Sequence, residues 1–172
     1  MKKLVLMLTI IALGSAGVYA QGRFSVGAEL ALPQSDLGDA VGMGFGGSVR
    51  YEAPINENLS WMGTVGFLTF GEKDDSGVKA TMIPVLAGAK YYFTESSNGF
   101  YAGAELGLTF ATTKFSFGGE SDSNNSSEFT FGPQLGYHLA NIDISARYLI
   151  MKIEDGDANS IGFRTAYVFG GE

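Results

Sequence analysis

The chain has 172 residues, a net charge of −7, 25 glycines, 13% aromatic residues and no cysteine. Lack of cysteine excludes disulfides and thiol chemistry, and an acidic chain without clustered Lys and Arg is a poor partner for nucleic acid. The glycine and aromatic content fits one β-rich domain.

The first twenty residues have the form of a cleaved secretory signal. Lys2 and Lys3 precede an apolar run from Leu4 to Leu13, and small residues end at Val18-Tyr19-Ala20. That run is about half of the roughly 20 residues a membrane helix needs, and no cysteine follows it to carry a lipid. Without Lys2 and Lys3, residues 21–172 hold nine basic and eighteen acidic residues. The expected product is an exported, acidic barrel domain over 21–172.

From there the chain reads with a period of two. Strand one, Arg23 to Leu32, turns Phe24, Val26, Ala28, Leu30 and Leu32 one way and Ser25, Gly27, Glu29 and Ala31 the other. The PQSDLGDAV stretch, 33 to 41, reads as a loop. Strand two, Gly42 to Ala53, sets Met43, Phe45, Val49 and Tyr51 against Ser48, Arg50 and Glu52, and PINEN turns it. Strand three, Leu59 to Phe70, sets Trp61, Val65 and Phe67 against Met62, Thr64 and Leu68, then breaks at GEKDDSG. Strands four and five, from Ala80 through the turn TESSNG to about Phe117, turn Lys90 and Glu105 to the same mixed face, and Pro84 suggests a bulge.

GGESDSNNSS, residues 118 to 127, reads as a low-complexity exposed loop. Strand six, Glu128 to Leu139, and strand seven, Ile142 to Ile153, flank a turn at Ala140-Asn141. EDGDANS then leads to strand eight, Ser160 to Phe169. In every strand one face is largely apolar and the other mixed, and apart from Lys114 and Lys152 the strand charges fall on the mixed face. A soluble sheet would turn its charges to water, whereas a membrane barrel turns the apolar face to lipid and the charges inward.

Two regularities favour the barrel. Long polar connections alternate with short ones, as in an up-and-down meander whose short turns face the periplasm. Eight strands of about 10 residues match both the bilayer and the smallest closed barrel, which leaves lipid no free strand edge. The expected fold is therefore all-β, an eight-stranded antiparallel up-and-down transmembrane β-barrel.

With the signal, GGSVRYEAP, PVLAGAKYYF, GFYAGAELGL, DISARY and the aromatic last strand in view, the chain resembles the small OmpA/OmpX-like outer-membrane barrels. The resemblance implies an integral protein of the cell outer membrane that is not an enzyme and needs no cofactor. It departs from OmpA in that nothing like a peptidoglycan-binding domain follows the barrel. It departs from the usual aromatic terminus because Gly170-Gly171-Glu172 follows Phe169.

Two constellations stand out on the inward face. Glu29, Arg50, Lys90, Glu105, Gln134, Arg147 and Arg164 fall at similar distances from the short-turn end. They are expected to form one polar belt, read as a structural plug because an eight-stranded interior holds little beyond its own side chains; a gate or ion path is the other reading. Above them Met62, Leu68, Phe70, Met82, Leu86, Leu149 and Met151 either pack the upper lumen or line a pocket for a small hydrophobic molecule. Lys114 and Lys152, on the lipid face near the outer rim, are expected to meet lipopolysaccharide phosphates or to snorkel. The four acidic external loops are the expected contact with an extracellular partner, and the protein is expected to be a monomer in lipid.

Sharper motifs fail on context. Gly42-x-Gly44-x-x-Gly47 opens a strand with no helix behind it, so the phosphate-cradling turn is missing. Asp155-x-Asp157-x-Asn159 has Ser160 and Ala166 where a calcium loop needs Gly and Glu. His138 is the sole histidine and cannot complete a zinc site.

Overall fold

Alternation of apolar and polar residues produces eight strands that close on themselves. They are β1 (Arg23–Gln34), β2 (Val41–Pro54), β3 (Leu59–Glu72), β4 (Val78–Tyr92), β5 (Gly99–Phe117), β6 (Glu120–Leu139), β7 (Ile142–Ile153) and β8 (Gly156–Phe169). The computed structural model describes residues 22–34, 37–38, 41–72, 78–94, 97–117, 120–153 and 156–170, without side chains at 78, 114–117 and 120–123. The expected signal, residues 1–20, and the terminal Gly171-Glu172 lie outside these.

Each strand pairs antiparallel with its neighbour, and β1 pairs with β8 to complete a closed barrel. Closure pairs the strand edges that lipid could not satisfy. Large apolar side chains such as Phe24, Phe45, Val65, Leu106, Leu135, Ile144 and Phe163 are exposed on the outside, while the buried set contains most of the charged strand residues whose side chains are described. Aromatic pairs Phe24–Tyr51, Tyr51–Trp61, Tyr91–Phe93, Phe100–Tyr137 and Tyr167–Phe169 ring the short-turn end, as at a membrane interface.

Three expectations are corrected. Within the expected loop at 118 to 127, residues 120 to 127 are strand: β6 begins at Glu120, and Phe117 pairs with Glu120. Likewise EDGDANS gives way to strand at Gly156. Pro84 makes no bulge. The β4–β5 register runs unbroken through Pro84↔Thr109, and the β3–β4 register is the same on either side of it. The missing N–H interrupts the β3–β4 ladder without shifting it; the irregularity lies in β2 instead, between Val41 and Gly44.

β5 and β6 hold 19 and 20 residues, against the 9–11 that cross a bilayer. Beyond Lys152, β7 offers no partner to β6 among the described residues, so residues 120–128 of β6 pair with β5 on one side and, among the described residues, have no partner on the other edge. Asn124, Asn125, Ser126 and Ser127 are exposed there.

Candidate functional site

Strand parity turns the seven belt residues inward, and all are at least 95% buried. Six of them form one tier. Arg50 reaches Glu105 at 3.1 Å, Thr64 at 2.9 Å and the Gln134 amide oxygen at 3.4 Å. Thr64 donates its hydroxyl to Glu105. Arg147 bridges Glu105, at 3.4 Å, and Glu29. Arg164 lies 3.7 Å from Glu29 and donates to the Ser48 and Ser25 hydroxyls at 2.8 and 2.9 Å. Three guanidinium groups thus alternate with two carboxylates across the barrel.

Lys90, grouped with these in sequence, belongs to a second tier nearer the short turns. Its ammonium is 2.9 Å from both Glu52 and Asp143 and lies 4.1 Å from the centre of the Tyr101 ring. Arg23 pairs with Glu52 at 2.6 Å. Tyr92 donates to Glu52 at 2.8 Å and Tyr101 to Asp143 at 3.0 Å. Arg164 joins the tiers, 3.5 Å from Asp143. At the mouth, His138 Nδ1 meets the Ser97 carbonyl at 2.7 Å, which requires the proton on Nδ1.

Glu52, Asp143, Arg23 and the two tyrosines were missed as partners. Glu52 and Asp143 already stood on the inward parity of their strands. The signal that would have found them is charge balance, since Lys90 otherwise had no acid of its own.

The apolar upper set divides. Leu68, Phe70, Met82, Leu149 and Met151 line one small cavity. Met62 and Leu86 are buried but do not line it. Met62 sits at the upper tier, where its sulfur accepts from Gln134 at 3.4 Å. On the outer rim Lys152 pairs with Asp157 at 2.7 Å and Lys79 with Glu72 at 3.2 Å; the Lys114 side chain and Asp155 lie outside the described set. Among the described residues no group of three or more His, Asp or Glu side chains is placed to hold a metal ion.

A closed antiparallel barrel with an apolar outside and an ion-paired inside defines an integral outer-membrane β-barrel. The chain belongs to the family described as outer membrane protein beta-barrel domain, whose model matches residues 4–169. It therefore resides in the outer membrane. Solved structures share the fold. The attachment invasion locus protein Ail of Yersinia pestis matches at 19% identity and a TM-score of 0.65, over 87% of this chain and 98% of that one. The N-terminal barrel of Pseudomonas aeruginosa OprF matches at 14% identity and 0.62, over 87% and 98%. Neisserial surface protein A matches at 18% identity and 0.52, over 86% and 94%. No curated protein sequence matches the chain significantly.

Proposed function

We propose that this is a non-enzymatic surface-interaction protein: a barrel closed by its lumen network, exported by the signal over residues 1–20, that presents an acidic external end to a partner. The observation that carries this reading is the β5–β6 ribbon, which continues past the membrane with a strand edge at residues 120–128 that has no partner among the described residues. An extended segment of a partner can add to such an edge through its backbone groups alone.

Charge selects the partner. The segments 35–40, 71–79, 114–128 and 152–157 together hold eleven acidic residues and four lysines. One Ail structure is a complex with the heparin analogue sucrose octasulfate. A polysulfate suits a basic surface, whereas the excess of acid here favours a cationic one. The apolar outer band meets lipid, and Lys114 and Lys152 meet lipopolysaccharide phosphates at its rim.

The test trims the ribbon at the paired positions Ala111 and Ser126, replacing residues 112–125 with an Asn-Gly turn. Bacteria displaying the intact barrel are expected to adhere to a surface bearing cationic peptide, more weakly as salt rises, and not to heparin. The trimmed barrel should fold and lose adhesion. Equal adhesion by both, or a preference for heparin, would contradict the reading.

A further inference from the structure

Above the ion-pair tiers the lumen turns apolar, and an external residue lies in it. The β1–β2 connection contributes two described residues, Leu37 and Gly38, both helical. Gly38 lies close to the end of β1, where a Cβ on it would lie 3.0 Å from the Pro33 carbonyl oxygen. Leu37 packs against a buried cluster that includes Leu68, Phe70, Met82 and Met151. With Leu149 and the hydrogen-bonded hydroxyls of Thr109 and Thr130, these side chains enclose about 20 Å³. Among the described residues no charged side chain lines the space.

We propose that this chamber is a binding site for a small uncharged apolar molecule, and that Leu37 is the intramolecular occupant such a molecule displaces. A volume of this size admits about one water, whereas a cavity of about 150 Å³ holds benzene. Entry therefore requires Leu37 to leave. Its departure exchanges one set of apolar contacts for another of the same kind, and the methionine side chains adapt to either shape. Ligand in the lumen and the position of Leu37 are thereby linked. Whatever draws Leu37 outward raises lumen affinity, and a bound ligand favours its outward position by the same factor. The inference concerns the lumen and stands whether or not the ribbon binds a partner.

Four methionines of the barrel report the outcome separately. Met82 and Met151 line the chamber, Met62 is buried below it, and Met43 is 47% exposed on the lipid face. The barrel, carrying ¹³C-methyl methionine and leucine, is placed in lipid nanodiscs and titrated with benzene as the probe. Saturable shifts are expected at Met82, Met151 and Leu37, none at Met62, and only a non-saturating drift at Met43 from partitioning into lipid. Leu37→Ala should tighten the apparent affinity about tenfold, equivalent to about 1.4 kcal/mol. Ala158→Phe, which fills the chamber wall, should abolish saturation. Leu37 lies outside every strand, so its variant keeps the test decisive even if Ala158→Phe does not fold. Benzene shifting Met43 alone, or identical affinities for wild type and Leu37→Ala, would overturn the proposal.

Discussion

At the scale of single residues, an intact ion pair inside the lumen adds little net stability. Moving a charge out of water costs several kcal/mol, and a buried pair often does no more than repay that cost. Breaking one is different, because the partner stays behind uncompensated. Arg50 serves Glu105, Thr64 and Gln134, so Arg50→Ala should cost about 3–5 kcal/mol in urea unfolding from lipid vesicles. Unchanged stability would show the tier to be energetically idle. At the other extreme is Ala140, which has φ 51° at the first position of the Ala140-Asn141 turn, a conformation better suited to glycine. Ala140→Gly should therefore stabilise by about 1 kcal/mol in the same measurement. Parity alone located all seven belt residues on the inward face. It could not sort them into tiers, because the level of a side chain depends on shear between strands, which only the register reveals.

At the scale of elements, what the sequence concealed follows from where burial operates. Within the bilayer one face meets lipid and the other the lumen, so alternation is strong; β7 was legible to the residue, Ile142–Ile153. Above the bilayer Asn124 to Ser127 are exposed on both faces, and ESDSNNSS could form strand without alternating. Low complexity therefore imitated a loop. Pro84 misled for a related reason: an interrupted ladder needs no bulge when the other edge of the strand stays paired. Close strand approach also leaves its mark. A Cβ at Gly46 would sit 1.8 Å from the Phe67 carbonyl oxygen, whereas one at Gly63 meets nothing nearer than the Trp61 ring at 3.8 Å. Gly46→Ala should then cost about 2 kcal/mol or more, with Gly63→Ala close to neutral. Comparable melting of the two variants would contradict the β2–β3 spacing.

At the scale of the whole molecule, charge is sorted into compartments. Five cations, Arg23, Arg50, Lys90, Arg147 and Arg164, meet four acids, Glu29, Glu52, Glu105 and Asp143, within the lumen and its inner mouth. The remaining acid excess is concentrated in the external segments and the ribbon. The eight-strand fold was legible because every membrane strand repeats the same alternation and the short and long connections alternate. The external end was legible only as composition, since its segments carry an excess of acid but no recognition motif. The most direct test of a lumen closed by its own side chains is planar-bilayer conductance of the wild-type barrel at physiological salt. No steady conductance above that of the bare bilayer is expected, and a stable ohmic conductance would contradict the account.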